Sequence, residues 1–266
     1  MKHSVVVLTI LLCVCAAVPA VAQTQKTTLA PDSIVQIPAG EFWMGRANAM
    51  PEDAEDRWPR GWLDDRPANL INVDAFSIDK YEVTNADYAK FLEAKGGKPP
   101  WHWPEGRIAP GQEPQAVSNV SWFEANEFCK WAGKRLPTEA EWEKASRGGL
   151  DRKVFFWGDE INGAEGQPFP AAINQNKAQA VGTLKPNGYG LYDMAGNVME
   201  WTNDWYDSQY YNFMPKNNPK GPETGLYKSV RGGGWAEGRG MKLANFYRNY
   251  TDPELRFDTV GFRCAK

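Results

Sequence analysis

The sequence predicts a single α+β domain that is poor in regular secondary structure. Four short segments have the alternation and turns of strands, at residues 35–37, 41–45, 69–73 and 76–78. Three helix starts follow them. After Arg147, glycine, proline, asparagine and tryptophan interrupt nearly every apolar run, and no window longer than about 8 residues keeps a regular period. A chain of 266 residues fits one large domain with a sizeable core.

Each predicted helix begins at a Ser or Thr that is followed three residues later by an acidic residue. The pairs are Thr84 with Asp87, Ser121 with Glu124, and Thr138 with Glu141. This spacing allows a capping box, in which each residue's side chain bonds the main-chain N–H of the other. Apolar positions in the second helix recur on one face, and Cys129 is among them, so we expect Cys129 to point inward.

Residues 1–22 have the pattern of a cleavable secretory signal peptide. Lys2 precedes an apolar run, and cleavage is expected near Ala22, where a polar stretch begins. The apolar run is shorter than the roughly 18 to 20 residues of a spanning helix, which makes a membrane anchor the less favoured alternative. We therefore expect a periplasmic or secreted protein without a membrane span, with a flexible leader at residues 23–33 and a domain at residues 34–266.

Composition argues against several classes of function. The formal net charge is −3 and there is no basic run that could follow a phosphate backbone, so nucleic acid is not expected as a partner. His102 is the only histidine beyond the signal segment. Between two tryptophans it is expected to be packed or at the surface, and not to bind a metal. One histidine also leaves little room for a Ser-His-Asp or Cys-His catalytic arrangement.

The cysteines bear on the redox environment of the protein. Of the four, Cys13 and Cys15 lie in the signal segment, which leaves Cys129 and Cys264 in the exported chain. In an oxidising compartment two remaining cysteines usually form one disulfide. The alternative is a pair of buried free thiols.

Nine segments along the chain carry a family resemblance. The two longest read WAGKRLPTEAEWE and PNGYGLYDMAGNV. All nine, in order, are residues 37–40, 42–45, 78–85, 120–122, 131–143, 186–198, 200–202, 231–233 and 261–264. This series resembles the formylglycine-generating enzyme family, also called the sulfatase-modifying-factor family, and it runs from about residue 34 to residue 266.

The resemblance implies a particular form of the α+β fold and a particular cysteine pairing. Members of the family have a single C-type-lectin-like domain with little regular structure. Members that keep a structural disulfide place one cysteine just before the WAGKR segment and the other at the end of a GFRC segment. In this sequence those positions are Cys129 and Cys264.

The resemblance also implies a calcium loop. Hard oxygen donors on a tightly turned loop suit Ca²⁺. The ligands would be the side chains of Asp193 and Glu200 and the main-chain carbonyls of Gly196 and Val198. The alternative is a metal-free turn in which Asp193 caps main-chain amides. The family's other calcium site, near Asn174, is expected to be absent or weak, because residues 178–184 contain no carboxylate.

The copper centre that the family uses is not expected in this chain. Family enzymes oxidise a substrate cysteine with Cu(I), a soft ion held by two thiolates a few residues after an Arg-Gly-Gly segment. Here residues 234–242 contain no cysteine, Glu237 stands at the first thiolate position, and the second falls near Lys242. We therefore expect no Cu(I) and no formylglycine-generating activity. Iron-dependent relatives carry a histidine cluster, which this chain lacks.

What remains is a family pocket with an altered lining. Its candidate residues are Trp235, Glu237, Arg239 and Arg248. A tryptophan offers a stacking face and arginines offer planar forks for anions. Glu237 would suit a general base if it were buried with a raised pKa. Purely structural roles for Trp235 and Arg248 are the alternative.

Two classes of function stay open for such a chain. The first is an exported accessory, binding or maturation factor without copper-dependent activity, whose partner is a protein, a peptide or a small molecule. The second is an oxidoreductase of altered mechanism, similar in idea to the periplasmic family member that takes part in siderophore chromophore maturation. A true formylglycine-generating enzyme ranks last because its ligands are missing. Neighbouring genes for a sulfatase, a copper nitrite reductase or a siderophore pathway would separate the first two.

Overall fold

The computed structural model describes residues 33–47 and 64–266. The predicted signal peptide, nearly all of the predicted leader and residues 48–63 of the predicted domain lie outside the described residues. Within them the chain forms eight strands and three α-helices, in agreement with the predicted α+β class. None of these helices has the length and apolar character needed to cross a membrane.

The N-terminal part of the domain consists of two antiparallel strand pairs. Strand β1 (Ile34–Ile37) pairs with β4 (Phe76–Asp79), and β2 (Gly40–Met44) pairs with β3 (Asn69–Val73). All four strands lie within one residue of the predicted segments, because alternation and the flanking turns are local signals. Their inward side chains, such as Ile37, belong to the larger of the core clusters.

Three helices begin at the predicted caps. Helix α1 (Asn85–Lys95), α2 (Trp122–Trp131) and α3 (Glu139–Ser146) follow Thr84, Ser121 and Thr138, whose side chains accept from main-chain N–H groups. The capping box is complete in α2 and α3. For α1 that prediction was wrong, because the carboxylate of Asp87 accepts from the hydroxyl of Thr84 at 2.8 Å. Asp87 is one methylene shorter than the glutamates of the other two boxes.

The C-terminal part contains a four-stranded sheet that the sequence analysis did not predict. Its strand order is β7-β6-β5-β8, with β8 parallel to β5 and the other pairs antiparallel. The strands are β5 (Met199–Trp205), β6 (Lys228–Arg231), β7 (Asn249–Thr251) and β8 (Val260–Gly261). Strands β7 and β8 have only three and two residues, and buried positions do not alternate in β5 and β6, so none of the four leaves a period-2 signal in a sequence window.

An aromatic cluster holds the helices against the C-terminal segment. The ring of Phe128 lies 6.0 Å from that of Tyr88, 5.6 Å from that of Phe91 and 5.2 Å from that of Phe262. Within this cluster Cys129 and Cys264 form a disulfide, and both are fully buried. The predicted pairing and the inward direction of Cys129 are confirmed.

Candidate functional site

The loop that follows β6 occupies the position where the resemblance places catalytic chemistry. The N–H of Trp235 donates to the carbonyl of Asn197 at 2.6 Å, and its carbonyl accepts from the N–H of Gln175 at 2.9 Å. The carbonyl of Glu237 accepts from the N–H of Asn174 at 2.9 Å. The loop is therefore fixed on two sides. At its start Gly233 has a φ of 69°, and a Cβ there would lie 2.9 Å from Leu243, so the turn requires glycine.

Glu237 and Lys242 face each other across this loop. The Lys242 ammonium lies 2.9 Å from Oε2 of Glu237. The side chain of Glu237 is 23% exposed and that of Lys242 is 53% exposed. The resemblance places the first copper thiolate at Glu237 and the second near Lys242. Glu237 is thus partly exposed and paired with a cation, which does not match the buried, unpaired carboxyl expected of a general base.

Trp235 lines a cavity of about 200 Å³ on the other side of the same loop. Its indole N–H donates to the main-chain carbonyl of Asp258 at 2.9 Å. Trp101 and His102 line the same cavity. Burial lowers the pKa of His102, although Asp258 opposes the shift, so the imidazole is neutral at pH 7. His102 is half-buried, which lies within the prediction of a packed or surface histidine.

The two candidate arginines lie elsewhere. The guanidinium of Arg239 is exposed, sits 4.7 Å from the ring centroid of Phe169 and donates to the side chain of Asn162 at 3.3 Å. Arg248 is buried in the core, where its Nε donates to Oε1 of Glu139 at 2.8 Å. The four candidates therefore do not share one pocket. The contacts of Arg248 are those expected if its role is purely structural.

Arg248 belongs to an ion-pair network that sequence reasoning missed. Arg231 bonds Glu139 at 2.7 Å and Glu143 at 2.8 Å, and all three side chains are buried. Burial alone would raise the pKa of Glu139, but the adjacent guanidiniums of Arg248 and Arg231 outweigh it and lower the pKa to about 2. Glu139 and Glu143 are four residues apart on α3 and therefore lie on the same face of the helix. This spacing was the only indication in the sequence that the two carboxylates could share a partner.

The predicted calcium loop is tightly turned. Asp193, Gly196 and Asn197 all have positive φ, at 58°, 81° and 58°. One carboxylate oxygen of Asp193 accepts from the N–H of Gly182 at 2.7 Å. Both carboxylate oxygens of Glu200 accept from Arg263 at 2.7 Å. The indole N–H of Trp142 adds a third bond to Glu200, at 2.9 Å.

A third carboxylate, Glu82, lies beside this loop and was not foreseen as a site residue. It is buried and accepts from the N–H of Val198 at 3.1 Å and from the side chain of Asn197. Burial, and after it the charges of Asp193 and Glu200, raise the pKa of Glu82 well above its usual value. Burial also raises the pKa of Asp193.

Three buried carboxylates, Glu82, Asp193 and Glu200, interact electrostatically in this region. Of the three, the guanidinium of Arg263 bonds only Glu200, so ionising all three carboxylates would leave two negative charges uncompensated. Among the described residues, no three His, Cys, Asp or Glu side chains converge into a metal site. A bound Ca²⁺ would therefore need main-chain carbonyls, such as those of Gly196 and Val198, beside Asp193 and Glu200.

The segment near Asn174 differs from this loop. Asn174 is exposed and has a φ of 54°. Its main chain is bonded to Glu237 in the loop after β6. Residues 178–184 supply no carboxylate. The expectation that this calcium site is absent or weak stays a prediction.

Comparison with known proteins decides the family. The model of the sulfatase-modifying factor enzyme 1-like domain matches residues 18–266. The chain belongs to this family. It is 33% identical to the formylglycine-generating enzyme of Streptomyces coelicolor over 87% of this chain and 88% of that protein. It is 31% identical to the inactive C-alpha-formylglycine-generating enzyme 2 of Mus musculus, over 88% and 85%.

A solved structure supports the same assignment. PvdO from Pseudomonas aeruginosa superposes with a TM-score of 0.70 at 28% identity, covering 87% of this chain and 93% of that chain. The predicted family and the predicted C-type-lectin-like α+β fold are confirmed.

Within the sulfatase-modifying-factor family, the cysteine content of this member is the informative difference. Both cysteines in the described residues, Cys129 and Cys264, are in the disulfide. The loop after β6 offers a carboxylate and an ammonium in place of thiolates. The carboxylate is a hard ligand and the ammonium has no lone pair to donate, whereas Cu(I) is a soft ion that selects sulfur ligands. The chemistry available at this loop is ionic pairing and hydrogen bonding.

Proposed function

We propose that this family member is an accessory factor, acting by binding or in maturation, that works in the periplasm or outside the cell and does not generate formylglycine. The observation that carries the proposal is the Glu237–Lys242 ion pair. Glu237 stands where the family resemblance places the first copper ligand, and Lys242 is near the position of the second. Overall sequence similarity does not separate an active from an inactive family member, because the chain is 33% identical to an enzyme and 31% identical to a protein named as inactive. Function in a shared fold is decided at the site.

Two observations support the location outside the cytoplasm. Residues 1–22 have the charge and apolar pattern of a signal peptide. The buried Cys129–Cys264 disulfide is of the kind that persists in oxidising compartments and is rare in the cytosol.

The first prediction concerns the copper reaction. Purified protein supplied with Cu(I), oxygen, a reductant and a sulfatase-type cysteine peptide is expected to give no formylglycine above a protein-free blank. The physical reason is that no free thiolate is available in the loop after β6. Mass spectrometry of the peptide measures the product, and the Streptomyces coelicolor enzyme serves as the positive control. Turnover by the wild-type protein would contradict the proposal.

A matched pair of variants tests the assignment of the two positions. Glu237→Cys alone provides one thiolate and is expected to bind Cu(I) no better than wild type. Glu237→Cys combined with Lys242→Cys places two thiols where the ion pair now brings the side chains together. The double variant is expected to gain Cu(I) affinity in competition with a chromogenic chelator, whereas equal affinity in both variants would show that the positions are misassigned.

We also propose that Ca²⁺ binds at the loop of Asp193 and Glu200. The proposal is supported by the electrostatic repulsion among the buried carboxylates of Glu82, Asp193 and Glu200, which a cation would relieve, and by the turned main chain of the loop. A cation that binds only the native state stabilises it by about 2.7 kcal/mol at one hundred times its dissociation constant.

Chelation is therefore expected to lower the melting temperature of the wild-type protein by about 5 to 10 °C. Differential scanning fluorimetry in EDTA, followed by Ca²⁺ addition, measures the shift. The Asp193→Ala variant is expected to lose the response to Ca²⁺. Glu165→Gln, at an exposed carboxylate in another loop, is the matched control and should respond as wild type does. An unchanged melting temperature in EDTA would argue against the site.

A further inference from the structure

The cavity beside Trp235 has a lining whose chemistry points to a class of ligand. Two tryptophans form part of its wall, and Trp101 has 70% of its surface exposed. An exposed indole of this size, next to a cavity, is available to a ligand's apolar face. The volume of the cavity, about 200 Å³, is below the roughly 300 Å³ of the smallest sites for drug-sized ligands. The cavity therefore accommodates one ring and not a long chain.

The polar part of the lining is rich in side-chain amides. Asn85 is already used, because its amide donates to the carbonyl of Gln112 at 2.8 Å and accepts from Trp103 at 3.3 Å. The half-buried amides of Gln112 and Gln115 make no side-chain hydrogen bond within the described part of the chain. Each amide combines two donors with an acceptor. They can therefore bond a ligand hydroxyl as donor and as acceptor at once.

Nδ1 of His102 is a further polar atom that the fold leaves unsatisfied. It is buried, and it has no hydrogen-bond partner in residues 33–47 and 64–266. His102 lines the cavity. Buried polar atoms of native proteins are nearly always bonded, so this nitrogen is a polar atom near the cavity that the described part of the chain does not satisfy.

The described lining of the cavity carries no net formal charge. Among the described residues that line it, Lys177 and Asp258 are the only formally charged ones, one of each sign, and His102 is neutral at pH 7. A site for a phosphate, a carboxylate or an ammonium ligand would show an excess of the opposite sign. The lining favours an uncharged ligand with several hydroxyl groups and a flat apolar face.

We infer that this cavity binds one ring of a neutral saccharide, with the apolar face of the ring against Trp101 or Trp235 and its hydroxyls on the amides of Gln112 and Gln115. The inference rests on the proposed binding role of this family member and names the ligand class for it. A peptide is the competing occupant, but it would bring amide groups and side chains along an extended chain, which a cavity of this size does not accommodate.

The test is a titration of the full-length protein with uncharged methyl glycosides and N-acetylhexosamines. Saturation-transfer NMR and tryptophan fluorescence detect binding, and glucuronate, glucosamine and a capped tripeptide are the comparison ligands. At least one neutral glycoside is expected to bind. Trp101→Ala is expected to weaken that binding about tenfold, because one stacking face is lost. Gln115→Ala should weaken it severalfold, and it provides a second, chemically different variant.

Phe213→Ala is the matched control, since Phe213 is a 61% exposed aromatic that does not line the cavity, and it should bind as wild type does. Three outcomes would overturn the inference. They are no glycoside binding up to about 10 mM, binding that survives both cavity variants, and preferential binding of the peptide or a charged sugar. The copper assay is independent of these results. If the protein makes no formylglycine and binds no glycoside, only the inferred ligand class is refuted. If it makes formylglycine, the proposed function is refuted.

Discussion

Replacing Cys129 and Cys264 together with alanine is expected to lower the free energy of unfolding by about 5 kcal/mol. The disulfide closes a loop of 135 residues, and removing it restores that loop's conformational freedom to the unfolded chain. Both sulfurs are buried in the aromatic cluster around Phe128, so the substitution also removes packing. Guanidinium denaturation of the two purified proteins, followed by tryptophan fluorescence, measures the difference.

Dithiothreitol provides the control for this experiment. It is expected to destabilise the wild-type protein in denaturant by a similar amount and to leave the double variant unchanged, because only the wild type has a disulfide to reduce. A difference of less than about 1 kcal/mol between the variants would show that the chain-entropy argument does not apply to this protein.

Replacing Arg231 with methionine is expected to cost about 3 to 5 kcal/mol. The change removes the guanidinium that bonds both Glu139 and Glu143, and those carboxylates stay buried with fewer partners. Lys153→Met is the matched control, because Lys153 pairs with Asp159 at the surface. Loss of an exposed pair usually costs less than about 1 kcal/mol. Equal costs for the two variants, by the same denaturation measurement, would contradict this account of the network.

The same network predicts how stability depends on acid. The pKa of Glu139 is lowered from 4.5 to about 2 in the folded protein. A carboxyl whose pKa is lower in the folded protein than in the unfolded protein stabilises the fold at pH values above its unfolded pKa. This stabilisation is lost as the pH falls through the folded pKa. The window for Glu139 is therefore about pH 4.5 down to 2, and the loss is about 3 kcal/mol. In Arg231→Met the loss is expected to be smaller, since one of the guanidiniums that lower the pKa is gone.

The parts of the fold that sequence reasoning predicted are those with local causes. Strand alternation near Ile37 and the caps at Ser121 and Thr138 depend on residues a few positions apart, and the structure has them where predicted. The four-stranded sheet was missed because its pairs, such as Glu200 with Arg231, join segments that are distant in sequence. Long-range pairing leaves no mark within a short window.

The candidate site also contains residues that the sequence placed and residues that only the structure reveals. Glu237 and Lys242 were placed by resemblance, and the structure brings their side chains together. Arg248 could not be assigned, because burial decides between an anion-binding fork and an internal ion pair, and burial is a property of the whole fold. Glu82 was overlooked for a related reason. It is more than 100 residues before Asp193 and Glu200, and only tertiary packing reveals that their charges interact.

The last residues of the chain form main-chain hydrogen bonds with residues of its N-terminal part. The N–H of Asp79 donates to the carbonyl of Cys264, and the N–H of Val83 donates to the carbonyl of Phe262. During synthesis at about 5 to 20 residues per second, the strand pairs within residues 34–79 can form early, but the bonds from Asp79 and Val83 wait until the ribosome has made almost 200 further residues. The native core that includes these contacts cannot be complete before residue 264 has been synthesised. An export pathway that carries unfolded chains would therefore meet little opposition from premature folding.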